Sequence, residues 1–130
     1  MSALQSKTII VVDDDPDLRE ALGHILNDEG ATPIFAEDGE ACWKILSSGA
    51  QVDAILSDMR MPNGGGQELL RRVRNSDSRT IPLIIATGYS DISRAQLLRE
   101  GAFAILSKPF QMEALIDTLS RAVSRKSENE

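Results

Sequence analysis

Cysteine is nearly absent from this chain. Its single thiol, Cys42, cannot close an internal disulfide and has no second cysteine or neighbouring histidine with which to hold a metal, which fits a reducing compartment. Long apolar runs are missing too. The longest, Thr8 to Val12 and Ile81 to Ala86, are strand-sized and fall well below the roughly 18 to 20 apolar residues of a membrane-spanning helix. The stretch Met1 to Lys7 has no apolar segment after its first charge, so it does not read as a secretion signal, and a cytoplasmic protein with no membrane partner is expected. Basic charge is in deficit: 14 Lys and Arg against 20 Asp and Glu give a net charge of -6. That balance argues against direct nucleic-acid or anionic-membrane binding and favours protein or small-ligand partners. Low-complexity segments and internal repeats are also lacking.

What is present is 130 residues, 42% hydrophobic and 26% charged, enough for one ordinary core. A single domain over 1–130 is expected, with its periodic core at about 7–123 and a frayed polar tail at 124–130. Short β-rich runs alternate with amphipathic stretches of helical length. Strands are read at Thr8–Val12, Thr32–Ala36, Ala54–Ser57, Leu83–Thr87 and Phe103–Leu106, several of them continuously apolar, as in parallel strands covered on both faces. Helical stripes follow at Leu18, Leu22, Ile25 and Leu26; at Ala41, Ile45 and Leu46; at Leu69, Leu70 and Val73; and at Leu115, Ile116, Leu119 and Val123. Asp91 to Arg99 carries the weakest helical pattern. Asp15 before Pro16 suits a helix N-cap, and Gly30, Gly49 and Gly101 stand where helices should end.

Five strand-helix units are too few to close an eight-stranded barrel, so the fold class is α/β, an open doubly wound sheet with right-handed crossovers. In such a sheet the ligand site lies beyond the carboxyl ends of the strands. Polar residues gather there: Asp13, Asp14 and Asp15 after the first strand, Asp58 after the third, Thr87 after the fourth and Lys108 after the fifth. Clustered carboxylates repel one another unless a cation or protons neutralise them, and their hard oxygens suit Mg²⁺. Each residue also has a plain reading. Asp15 is a helix cap, Asp13 or Asp14 a solvated loop acid, Thr87 a β-branched strand residue and Lys108 a charge before a turn at Pro109. Together they supply what a metal and a phosphoryl group require.

In Val11-Val12-Asp13-Asp14-Asp15, Leu56-Ser57-Asp58-Met59-Arg60-Met61-Pro62 with Gly66 beyond it, Ile85-Ala86-Thr87-Gly88, Gly101-Ala102 and Leu106-Ser107-Lys108-Pro109-Phe110, the chain resembles the receiver domain of two-component response regulators, of the stand-alone chemotaxis type. The likeness runs from Lys7 to about Val123. It implies a flavodoxin-like five-stranded parallel sheet in the order 2-1-3-4-5. By the same resemblance Asp58 accepts a phosphoryl group from a sensor histidine kinase or histidine phosphotransfer protein. Asp13, Asp14, Asp58 and the backbone carbonyl of Arg60 would hold Mg²⁺, and Lys108 and the Thr87 hydroxyl would bind phosphoryl oxygens. It further implies a phospho-accepting regulatory domain, not a turnover enzyme, that signals to an effector protein through the face of the fourth helix, fifth strand and fifth helix.

The chain departs from that family at Ile105, where a Tyr or Phe is usual; a smaller switching movement is expected there. Arg60 and Tyr89 are large residues at variable positions flanking the phosphoryl site, which implies slow hydrolysis of the acyl phosphate. Gly64, Gly65 and Gly66 precede no glycine-lysine pair, so they read as a flexible turn and not a P-loop. Among rival readings, a haloacid-dehalogenase-like phosphatase leaves Asp58 unexplained. A calcium loop through Asp13, Asp15 and Asp17 has Leu18 where the turn glycine belongs. A receiver-like module that is never phosphorylated has no need of the full set Asp13, Asp14, Asp58, Thr87 and Lys108. No site is assigned to His24, to Cys42 and Trp43, read as lying near the surface of the second helix, or to the basic cluster Arg71, Arg72, Arg74 and Arg79, read as a solvated face.

Overall fold

The computed structural model describes residues 2–88 and 94–128. Along the chain run β1 (Thr8–Val12), α1 (Pro16–Asp28), β2 (Thr32–Ala36), α2 (Gly39–Ser47), β3 (Ala54–Asp58), α3 (Gly66–Arg74), β4 (Leu83–Thr87), α4 (Arg94–Arg99), β5 (Ala104–Ser107) and α5 (Met112–Glu128). The strands form one parallel sheet in the order β2-β1-β3-β4-β5, the architecture expected of the sequence.

Alternation along the strands divides the core. Ile9, Val11, Ala54, Leu56, Ile84 and Ala86 pack with Leu22 and Leu26 of α1 and Leu115 and Leu119 of α5. Ile10, Val12, Ile55, Leu83 and Ile85 pack with Cys42 and Leu46 of α2, Leu69, Leu70 and Val73 of α3, and Leu97 of α4. Covered on both faces, the central strands can dispense with polar alternation.

The ends of the elements show where local signals hold and where they fall short. Asp15 Oδ1 accepts from the Asp17 and Leu18 backbone N–H groups, with Pro16 opening the helix, so the predicted cap of α1 forms. Gly30, Gly49 and Gly101 take positive φ at helix ends, as expected. β5 starts one residue later than predicted, because the Phe103 N–H already donates to the Leu83 carbonyl and the paired ladder begins at Ala104. Of the weak fourth helix, only Arg94–Arg99 is helical among the described residues, and Asp91 lies outside them. α5 continues to Glu128, so the predicted frayed tail is helical through that residue. The core also starts earlier than residue 7. Leu4 is fully buried, and its segment is pinned by Ser2 Oγ donating to Glu29 and by the Ser6 N–H donating to the Gly30 carbonyl.

The basic cluster is a solvated face only in part: Arg71, Arg72 and Arg79 are exposed as expected, though engaged with neighbours, and Arg74 is not. Arg74 is half-buried and donates to the carbonyls of Gly101, Arg79 and Ile81, which ties the end of α3 to the turn before β5. Arg72 pairs with Glu40 and stacks 4.3 Å from the centre of the Trp43 ring. Arg71 grips Glu100 through Nε at 2.8 Å and Nη2 at 3.2 Å, and Gln67 and Gln96 donate to the same carboxylate. The hydrogen bonds from Arg71 and Gln96 hold the Glu100 carboxyl down to about 2, against an ordinary 4.5. A carboxyl so depressed contributes stability above its unfolded value and loses it as pH falls through its folded one. Glu100→Gln should therefore flatten the acid loss of stability between pH of about 4.5 and 2, read from urea midpoints across that range; parallel wild-type and variant profiles would contradict this.

Cys42 departs from its expected place near the surface. It is fully buried on the core side of α2, and burial pushes its thiol up to about 12. The thiolate is the reactive form, so the folded protein should react with iodoacetamide at pH 8 only as fast as it opens, and fully once denatured. Rapid labelling without denaturant would show that α2 detaches from the sheet.

Candidate functional site

Register brings the polar strand ends to one edge. Val12 pairs with Ser57, Asp58 with Ala86, and Thr87 with Ser107, so Asp13, Asp58, Thr87 and Lys108 leave four adjacent strands at nearly one level. The edge lies where strand order reverses around β1, the place at which open α/β sheets bind ligands.

The charged groups converge closely. Lys108 Nζ lies 3.0 Å from Asp13 Oδ2 and 3.3 Å from Asp58 Oδ1. Asp58 Oδ1 also accepts from the Met59 backbone N–H at 2.9 Å. Asp13 is 4% exposed, and its Oδ1 accepts from the Asp15 N–H, which holds the turn after β1. Asp14 is exposed and completes a set of three carboxylates, each with one oxygen within 4.8 Å of the others. Graded from buried Asp13 to exposed Asp14, the cluster is open to solvent on one side.

One ammonium pairs with two of these three clustered carboxylates. Burial pushes the Asp58 carboxyl above its ordinary range and Asp13 adds to that, while Lys108 and the Met59 N–H offset it in part. Burial works against the Lys108 ammonium, but its hydrogen bond to Asp13 and the charges of Asp58 and Asp13 hold it above its ordinary range. The oxygen set, charge excess and open side fit a small hard divalent cation such as Mg²⁺.

Asp58, Arg60, Thr87 and Lys108 line a cavity of about 920 Å³ together with the apolar Leu18, Leu22, Phe110 and Leu115. Asp15 also borders it, but its carboxylate is engaged in capping α1. Arg60 thus lines the same cavity as Asp58, and Tyr89 lies outside the described residues. Ile105 is half-buried and packs into the cluster beneath α2, α3 and α4. His24 is exposed beside Glu20 and is not a member of the carboxylate cluster.

Two residues of the site carried no readable signal. Arg19 donates to the Asp13 carbonyl at 2.6 Å, bracing the turn after β1 from the second turn of α1. Ser57 is fully buried and donates to the Asp58 carbonyl at 3.0 Å. The glycine run is also more than a flexible turn. A Cβ on Gly65 would lie 2.7 Å from the Met59 carbonyl oxygen, and one on Gly66 2.5 Å from that of Asp58. These glycines let the start of α3 press against the residues that present Asp58.

Residues 9–120 match the response regulator receiver domain family. The chain is 36% identical over 119 residues to the C4-dicarboxylate transport transcriptional regulatory protein DctD of Pseudomonas aeruginosa, covering 88% of this chain and 25% of that protein. It is 34% identical over 128 residues to the DNA-binding transcriptional regulator NtrC of Escherichia coli, covering 98% of this chain and 27% of that protein. It thus spans about a quarter of the length of these two relatives. Among solved structures, a response regulator receiver domain from Clostridium thermocellum superposes with a TM-score of 0.89 at 25% identity, over 95% of this chain and 99% of that one. The receiver domain of a signal transduction histidine kinase from Syntrophus aciditrophicus gives 0.84 at 32% identity, over 92% of each chain. With its sheet order, its strand-end carboxylates and its lysine in place, this chain belongs to the response regulator receiver domain family of two-component systems.

Proposed function

We propose that this chain accepts a phosphoryl group on Asp58 in a Mg²⁺-dependent reaction and thereby switches a protein-docking face formed by α4, β5 and α5. The carrying observation is the convergence of Asp13, Asp14, Asp58 and Lys108 at one sheet edge. The donor would be a phosphohistidine on a sensor kinase or phosphotransfer protein. Asp58 Oδ1 is engaged by the Met59 N–H and Lys108, so Oδ2 is assigned as the attacking oxygen. Its new bond to phosphorus forms as the phosphorus–nitrogen bond breaks, and the electron pair leaves with the imidazole.

Lys108 would release Asp13 in part to pair with a phosphoryl oxygen, and the Thr87 hydroxyl would donate to another. Asp13, Asp14, Asp58 and the Arg60 carbonyl would hold Mg²⁺, which when bound neutralises charge on the transferring group. The phosphorylated site would carry a new dianion that must recruit donors, the physical basis of the switch. Arg60 beside the site is expected to slow hydrolysis of the product by crowding water. Among the described residues no helix is long and apolar enough to cross a membrane, and a cytoplasmic location is part of this proposal.

Intact-mass spectrometry after incubation with acetyl phosphate, with and without Mg²⁺, tests the reading. One phosphate adduct is expected with Mg²⁺ and none in Asp58→Ala. An adduct that persists in that variant would place the chemistry elsewhere.

A further inference from the structure

We propose that Arg94 ties the short helix α4 to the strand that leads into Lys108, and that this polar tie couples α4 to the Asp58 site in a chain whose strand bears Ile105. Among the described residues, α4 places a single side chain in the core. Of its six residues only Leu97 is buried, and Leu98 is 48% exposed. So short a helix owes its stability to anchoring and not to its own hydrogen bonds.

The anchors are polar and sit at its two ends. Glu100, just past the last turn, is gripped by Arg71 and Gln67 of α3. Arg94, in the first turn, reaches across to β5. Its Nη1 donates to the Ile105 carbonyl at 3.2 Å, and its Nη2 donates to the Ser107 hydroxyl. A planar guanidinium holding two acceptors fixes direction as well as distance.

The strand it holds leads directly into the site. Ser107 precedes Lys108, whose backbone N–H donates to the Thr87 carbonyl at 3.1 Å and whose ammonium bridges Asp13 and Asp58. One short run of backbone thus carries the guanidinium contacts at Ile105 and Ser107 and the site's ammonium at the next residue. The Ile105 side chain packs into the core and brings no polar group of its own. Rearranging what Lys108 holds shifts the end of β5, and the fork at Arg94 must follow it or break. Such coupling is reciprocal, so loosening α4 must alter the response at Asp58.

The coupling rests on the reading of Asp58 as phosphoryl acceptor; the tie itself does not. Amide hydrogen exchange of the full chain, read by mass spectrometry with and without Mg²⁺ and beryllofluoride, tests both parts. In the free protein, Arg94→Ala should speed exchange in α4 about fivefold, the loss of roughly one net hydrogen-bond contribution. Ser107→Ala removes one acceptor of the two and should give a smaller increase. Beryllofluoride should change α4 exchange in the wild type and change it markedly less in Arg94→Ala.

Unchanged α4 exchange in free Arg94→Ala overturns the tie. Equal beryllofluoride responses in wild type and variant overturn the coupling. If the wild type takes up neither beryllofluoride nor phosphate, the Asp58 reading fails and the coupling with it, while the free-protein comparison still decides the tie. If Arg94→Ala loses its native circular dichroism, Ser107→Ala carries the same comparison.

Discussion

Replacing Asp58 with asparagine should abolish the phosphate adduct and, in the same protein, make the metal-free fold harder to unfold. Both effects have one origin. Asp58 is a carboxylate in a partly buried cluster of three, with a single ammonium to share between it and Asp13. Burial, reinforced by Asp13, raises its pKa above the 3.8 of an unperturbed carboxyl. A carboxyl raised on folding contributes stability in its protonated form; that contribution is full at acid pH and is lost as pH climbs from the unfolded value through the folded one. At neutral pH the ionised side chain is therefore a burden on the fold. Asparagine keeps an oxygen for the Met59 N–H and removes the charge.

The urea midpoint of Asp58→Asn should exceed that of the wild type at pH 7, with the gap closing as the buffer is taken below a pH of about 3.8. Mg²⁺ should reverse the ranking: a ligand at 100 times its dissociation constant stabilises by about 2.7 kcal/mol, and the variant has lost one carboxylate of the set. A variant less stable than wild type at pH 7 without Mg²⁺ would mean that the Lys108–Asp58 contact outweighs repulsion and burial. The cluster would then be a structural ion pair first and a cation site second.

The sheet and its site were legible because both are written in local pattern. Apolar runs of strand length, each followed by a helical stripe, lead to a parallel sheet, and the residue after each run then falls at the carboxyl edge. Asp13 and Lys108 just past their strands, and Asp58 and Thr87 at the last residues of theirs, needed only those positions to be gathered. What was not legible depends on partners distant in the chain. The burial of Leu4 and Cys42 is decided by which elements fold over them. Arg74 reads as one more surface cation until Gly101, 27 residues on, offers its carbonyl. Glu100 gains its importance from Arg71, 29 residues before it. The role of Arg94 is of the same kind: no spacing in the sequence announces that its guanidinium will meet Ile105 and Ser107 across a helix-strand contact.

Gly66→Ala should destabilise the fold by about 3 kcal/mol, the upper part of the range for overpacking, and displace Asp58. The added methyl would lie 2.5 Å from the Asp58 carbonyl oxygen and 3.2 Å from the Met59 Cα. Those are backbone atoms at the end of a central strand, so no side-chain rotation can relieve the clash. They are also held in place, since the Gly66 N–H donates to the Met59 carbonyl and the Met59 N–H to the Ala86 carbonyl. The positive-φ argument usual for glycine does not apply, because Gly66 is not among the left-handed residues; close approach alone demands it here. Two routes of relief remain. Either α3 lifts from the sheet, which exposes Leu69, Leu70 and Val73, or the end of β3 moves, which shifts the carboxylate that faces Lys108. Urea denaturation measures the first, and the rate of adduct formation from acetyl phosphate, with protein confirmed folded, measures the second. A variant as stable and as readily phosphorylated as the wild type would show that the turn between β3 and α3 yields at little cost, and that the position of Asp58 does not depend on this contact.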